Sequence, residues 1–226
     1  MNHFGSTSVS EARGVKPPKG LPKVSEYNFH GDGAPKLVTN NFIALGGRLR
    51  SGKDTVADYL VQKYGYVKIG MSDPLHWAML QLDPIIKPDP EGDDLRYIDI
   101  IDQIGYTEAK AQYPEVRRLL QQLGTEVGRN MLGENVWVDA AARSINGYLN
   151  EGKRVVLTGI RFPNELGLAQ RFNGRTWWVS RPSAEDTPGA HASENGVRQE
   201  DFELVVGNTA DVEYLYGEVD RALSLV

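Results

Sequence analysis

Chemistry enters this chain at Gly47, Gly52 and Lys53. Four residues separate the two glycines and the lysine follows directly, in GGRLRSGKDT, the Walker A spacing of a P-loop. Such a loop wraps a polyphosphate with backbone N–H donors, and a helix starting at its end aims a positive dipole at the same anion. Lys53 supplies a mobile ammonium for the outer phosphates, with Arg50 and Ser51 inside the loop. The pattern wants Ser or Thr after the lysine, whereas Asp54 holds that place and Thr55 comes next. A P-loop hydroxyl normally meets Mg2+ there. Asp54 is therefore a candidate metal ligand, direct or through a bound water, because carboxylate oxygen binds a hard cation more strongly than a hydroxyl. The alternative makes Thr55 the ligand and Asp54 a first-turn residue favoured by the helix dipole.

The elements that must hold these residues are written on either side. Phe42 to Leu45 predicts a buried strand, and Val56, Tyr59 and Leu60 recur at helical spacing after Lys53. Tyr66 to Ile69 predicts a second strand, followed by a helix with Pro74 in its first turn. Asp73 falls at that junction, either as an N-cap or facing a ligand. Residues 83–94, dense in Pro, Gly and acid, read as an unburied mobile insertion, and 83–113 as a candidate lid. Helices are expected over 98–110, over 115–131 and from Asn135 to Leu149. The second of these carries Arg117, Arg118, Gln121, Gln122 and Arg129 outside its apolar side, which the pattern alone makes a solvated face. Strands are expected over 154–158, 176–179 and 202–206, with helices over 163–172 and 211–225. This alternation predicts an α/β fold: a three-layer P-loop NTPase sandwich with a parallel central sheet, helices on both faces, and ligands at the carboxyl ends of the strands. The P-loop, Asp73 and Arg161 fall at those ends. Residues 1–38 lack periodicity and read as a flexible extension before one domain spanning 39–226.

The length of 226 residues suits one well-buried core. A net charge of -5 and a pI near 5.5 argue against stable nucleic-acid binding and for a small anionic partner. The absence of cysteine excludes disulfides and thiolate metal sites. No apolar run approaches membrane-spanning length and no signal-peptide segment is seen, so a soluble, cytoplasmic protein with no membrane partner is expected.

Further segments, in order, carry a resemblance. RSGKDT, VRRLLQQLGTEVGRN followed by NVWV, VVLTGIRFPNE, SRP, HASENG and VVGNTADVEYLY together resemble the bacteriophage deoxynucleoside monophosphate kinases, P-loop enzymes of the nucleoside monophosphate kinase type. The likeness runs from about Asn41 to the C-terminus, and RSGKDT already contains Asp after lysine. It implies Mg2+-dependent transfer of the γ-phosphoryl group of ATP to a deoxynucleoside monophosphate by a monomer or weak homodimer, in the host cell cytoplasm if phage-encoded. It also turns the arginines into substrate contacts. Arg117 or Arg118, Arg129 and Arg161 serve the acceptor side and the transferring group, where planar guanidinium groups neutralise phosphate charge. Gln121 and Glu165 join the substrate set. Trp137 becomes a pocket wall or base-stacking ring, against the plainer role of a buried aromatic. Arg181, just after a strand, occupies the position from which related enzymes cover the donor base, and His191 and Glu194 lie in a polar loop. One departure is Gly159, where the family commonly has Asp; Asp73 or Glu165 substitutes, or the role is dispensable. The rival readings are a P-loop kinase for another acceptor, such as dephospho-coenzyme A or phosphomevalonate, and a nucleotide-binding regulator without transfer.

Overall fold

The computed structural model describes residues 40–182 and 196–225. The expected N-terminal extension, His191 and Glu194 lie outside them. The described residues fall into two compact units, one of residues 40–71 with 138–182 and 196–225 and one of residues 72–137.

The first unit is a five-stranded parallel sheet in the order β2 (Val67–Gly70), β5 (Val155–Thr158), β1 (Phe42–Gly46), β6 (Arg175–Ser180), β7 (Leu204–Gly207). β1 lies at its centre and is buried along its whole length. Period-two alternation divides its side chains between two cores. Phe42 and Ala44 pack with Leu157, Trp178 and Phe202 against α5 (Val136–Asn150) and α6 (Pro163–Arg171), through Ala141, Ile145 and Leu168. Ile43 and Leu45 pack with Val156, Trp177 and Val179 against α1 (Lys53–Tyr64) and α7 (Val212–Ser224), through Val56, Leu60, Leu215 and Val219. Helices therefore cover both faces, giving the expected three layers. Burying each large apolar side chain of this kind contributes about 1.5–3 kcal/mol, so β1 is a well-anchored strand from which to hang a loop. α7 is fixed to α1 by Tyr59 stacked on Tyr216 at 3.9 Å and by Lys63 on Asp220 at 2.7 Å.

The second unit contains α2 (Asp73–Leu82), a β3 (Ile85–Lys87) and β4 (Leu95–Arg96) hairpin, α3 (Tyr97–Gln112) and α4 (Pro114–Gln121). Its own core gathers Met79, Leu80, Ile86, Tyr97, Ile98, Ile100, Ala109, Val116 and Leu120. The single core expected from length thus has a separate companion. The stretch read as an unburied insertion is partly internal: Ile86 is buried, and Asp83, 4% exposed, binds the Arg96 guanidinium at 2.7 Å and the Ile98 N–H at 3.0 Å. A buried carboxylate with both partners satisfied anchors the hairpin to α3. α3 is broken at Gly105, which takes φ 77° and ψ 166°.

The helix expected over 115–131 changes character partway. Beyond Gln121 the chain widens into a π-helical stretch, Gln122–Leu132, closed by the Gly133 N–H on the Gly128 carbonyl at 3.0 Å. Gly128 is required by close approach: a Cβ there would lie 2.4 Å from Trp137 Nε1. The indole N–H donates to the Gly124 carbonyl at 2.8 Å, so one aromatic ring clamps the widened turn. Among the described residues no helix is long and apolar enough to cross a membrane.

His76 on α2 bonds the Tyr97 hydroxyl at 2.7 Å through Nδ1 and packs on Tyr106 at 4.2 Å. Burial, and secondarily the Lys110 charge, push its imidazole down to about 4 from 6.5. The folded state therefore favours neutral His76. Its contribution to stability is complete above pH 6.5 and is lost as pH falls towards 4, a change of about 2 kcal/mol after allowing for partial exposure. Urea unfolding from pH 7 to 4 should show this loss, and His76→Gln should remove that component of the slope.

Candidate nucleotide-binding site

The loop from Gly46 to Lys53 leaves the carboxyl end of the central strand. Gly47 at φ 146° and Gly52 at φ 98° let the backbone turn where a side chain would collide: a Cβ on Gly47 would meet the Val179 carbonyl at 2.6 Å, and one on Gly52 would meet Asn208 Nδ2 at 2.5 Å. Arg50 takes φ 63°, a left-handed conformation that costs a non-glycine residue roughly 1 kcal/mol, the kind of strain that clusters at ligand clamps. Its side chain is exposed.

Ser51 is completely buried, and among the described residues its Oγ has no hydrogen-bond partner. An unsatisfied buried hydroxyl costs about 1–3 kcal/mol, a cost the rest of the loop must offset. Asn208, immediately after β7, braces the loop from behind: its backbone N–H donates to the Ser180 carbonyl at 2.7 Å and its Nδ2 to the Ser51 carbonyl at 2.9 Å. Because the trans peptide points its C=O and N–H in opposite directions, fixing the Ser51 carbonyl on Asn208 aims the Gly52 N–H away from β7. α1 begins there with the Val56 N–H on the Gly52 carbonyl at 3.0 Å, and first-turn N–H groups have no acceptor inside the helix. Lys53 Nζ donates to the Arg48 carbonyl at 3.3 Å. The ammonium is thus held at the loop it would serve.

Asp54 does not stand alone. Its Oδ1 lies 3.1 Å from Lys68 Nζ, which also bonds Asp58 at 3.0 Å. Burial alone would lower the Lys68 ammonium, but Asp58 and Asp54 outweigh it and hold it above its ordinary value. Mg2+ is commonly held by one or two protein oxygens with substrate phosphates and water. Asp54 and Thr55, adjacent in the first turn of α1 and both reached by solvent, fit that donor set.

After β5, the exposed Arg161 follows Gly159, which takes φ 82°. Glu165 is 7% exposed and accepts the backbone N–H groups of Arg161 at 2.7 Å and Phe162 at 3.2 Å, so its carboxylate sets the turn that presents Arg161. Gly196 closes on the same turn, where a Cβ would meet the Arg161 carbonyl at 2.3 Å. Arg181 follows β6 and is exposed.

The remaining candidates belong to the second unit. Asp73 is the first residue of α2, with Ser72 as the N-cap. Arg118 forks onto Glu115 at 2.7 and 2.8 Å and reaches Gln122 at 2.9 Å. Arg117 and Gln121 are exposed, and among the described residues the Arg117 guanidinium has no side-chain partner. Arg129 lies half-buried in the π-helical stretch that Trp137 clamps. Sequence reasoning missed Asn208, Lys68 and the Gly128–Trp137 contact. Asn208 was signalled by its place just after a strand's carboxyl end; the other two carry no local signal.

A glycine loop with a buried serine and a lysine, leaving the central strand of a parallel sheet covered by helices, defines an α/β protein of the P-loop type. The family model described as deoxynucleotide monophosphate kinase matches residues 87–219, more than half of the chain, and the chain belongs to that family. A protein of Acanthamoeba polyphaga mimivirus is 24% identical over 197 residues, covering 78% of this chain and 93% of that one. The deoxynucleotide monophosphate kinase of Enterobacteria phage T4 is 23% identical, covering 81% of this chain and 99% of its own. That of Escherichia phage RB69 is 30% identical over 109 residues, 48% of this chain and 44% of its own. Among solved structures, TT1252 from Thermus thermophilus superposes with a TM-score of 0.45 at 19% identity, covering 84% of this chain and 99% of its own.

The brace on the loop is open to test. Asn208→Ala removes one hydrogen bond to a buried carbonyl and should weaken ATP binding roughly 10-fold, about 1.4 kcal/mol. Calorimetric titration against the parent protein measures this, with circular dichroism checking that the fold is kept.

Proposed function

We propose that the protein transfers the γ-phosphoryl group of ATP to a deoxynucleoside monophosphate. The observation that carries the reading is the P-loop itself, a pre-shaped turn with its Ser51–Gly52 peptide fixed by Asn208 and Lys53 at its exit, in a member of the deoxynucleotide monophosphate kinase family. In this reading Gly47, Arg50, Ser51, Gly52 and Lys53 bind the ATP phosphates through backbone N–H groups and the ammonium, with Thr55 in the first turn of α1. Asp54 or Thr55 would hold Mg2+ together with the phosphates, and the ion would supply charge neutralisation during the transfer.

Phosphoryl transfer asks little covalent chemistry of the protein and much positioning. Arg161, presented by the Glu165-capped turn, neutralises the transferring group, and Lys53 accompanies it; Arg129, in the other unit, is a further candidate cation for phosphate. On the acceptor side Arg117 or Arg118 supplies a guanidinium, Arg118 from a place where it also meets Glu115 and Gln122. Asp73 and Gln121 complete the acceptor set, Trp137 acts as a wall through its hold on Gly124, and Arg181 covers the donor base. The partners are small nucleotides, and the reaction belongs in the cytoplasm, where those nucleotides are found.

The test is an acceptor panel with ATP and Mg2+. At least one of the four common deoxynucleoside monophosphates should yield its diphosphate, and Lys53→Ala should lower turnover at least about 100-fold without unfolding the protein. Transfer to dephospho-coenzyme A or another acceptor, with none to any deoxynucleotide, would overturn the substrate assignment. Turnover unchanged by Lys53→Ala would overturn the P-loop assignment.

A further inference from the structure

We propose that Lys68 is a positioning residue for the P-loop: it holds Asp54 in an ion pair that offsets the carboxylate's charge beside bound nucleotide, and yields it when Asp54 turns to a metal. The inference rests on the P-loop reading above and adds a residue to it.

Sheet geometry explains why Lys68 reaches this place. It pairs in register with Val156 on β5, and Val156 faces the core built with α1. Its neighbours Val67 and Ile69 pack on the opposite face. Alternation therefore sends the Lys68 side chain towards α1, where Asp54 and Asp58 stand one helical turn apart. The ammonium meets both, at 3.1 and 3.0 Å.

The pair is a poor device for stability. Asp54 and Asp58 side chains are 68% and 57% exposed, and ion pairs so open to water add little to folding. It is better suited to controlling charge. A carboxylate in the first turn of a phosphate-binding helix repels a polyphosphate unless a cation stands against it. Lys68 supplies that cation from the sheet. The second contact matters equally: when Asp54 leaves, Lys68 keeps Asp58, and the exchange leaves no ammonium without a partner.

The expected behaviour has two signs. In EDTA, Lys68→Gln should weaken ATP binding about 5- to 10-fold, because the Asp54 charge is no longer offset. In the same variant, Mg2+ should enhance ATP binding at roughly 3-fold lower concentration, because Asp54 has no competing partner. Lys68→Arg should restore the parent behaviour, and the melting temperature should move by no more than a few degrees. With Asp54→Asn already present, Lys68→Gln should change Mg-free ATP affinity less than about 2-fold, since the pair no longer exists. Equal weakening in the Asp54→Asn background would show that Lys68 acts on nucleotide directly and would overturn the proposal. Unchanged binding in Lys68→Gln would leave only a surface strut and overturn it as well. Failure of the underlying reading looks different: the parent protein itself would bind no ATP, before any Lys68 variant is made.

Discussion

The site hangs on the orientation of one peptide, Ser51–Gly52. Its carbonyl is held by Asn208, its glycine takes a left-handed φ, and its serine side chain is completely buried. None of these contacts is strong alone; a neutral hydrogen bond adds about 1 kcal/mol. Their effect is geometric. Backbone donors bind an anion well only when they already point at it, because reorganising them at the moment of binding would cost much of the gain. The buried β1 strand fixes one end of the loop and α1, packed through Val56, Ala57 and Leu60, fixes the other. The strain at Arg50 and the unpartnered Ser51 hydroxyl are tolerated because the surroundings leave the loop no easier conformation.

Charge around the loop follows from the same placement. A chain of net charge -5 that binds polyanionic nucleotides must concentrate its cations locally. Lys53 and Arg50 sit in the loop, Arg161 follows β5 and Arg181 follows β6, so each strand end of the first unit that borders the central loop carries a cation. The carboxylates there are assigned elsewhere: Glu165 to backbone N–H groups and Asp54 to Lys68. The second unit has its own core, and its arginines differ in commitment, Arg118 being tied to Glu115 and Gln122 while Arg117 is exposed.

Much of this was legible because local physics sets it. The P-loop announces itself since a turn of that shape requires glycine at two positions a fixed distance apart. The strands RVVLT and NFIAL stand out because central parallel strands are buried on both faces. The β3–β4 hairpin was not legible: strands of three and two residues are too short for alternation to register, and Asp83 looked like a loop acid because its partner Arg96 is thirteen residues away. The π-helical stretch was hidden for a different reason. Its apolar spacing matches an α-helix, and the Trp137–glycine contact that accompanies the widening has no local signal. The pairing of Arg118 was within reach, since Glu115 and Gln122 lie three and four residues from it, the spacing at which helical side chains pair.

The claim that most depends on measurement is that the loop is already shaped for phosphate. A crystal structure with a non-hydrolysable ATP analogue tests it directly. The backbone of residues 47–52 should remain where it is, with Asn208 still on the Ser51 carbonyl, the phosphates received by loop N–H groups, and Lys53 Nζ moved from the Arg48 carbonyl onto a phosphate oxygen. A triphosphate bound away from this loop, or a loop that refolds and breaks the Asn208 contact to receive it, would contradict the claim.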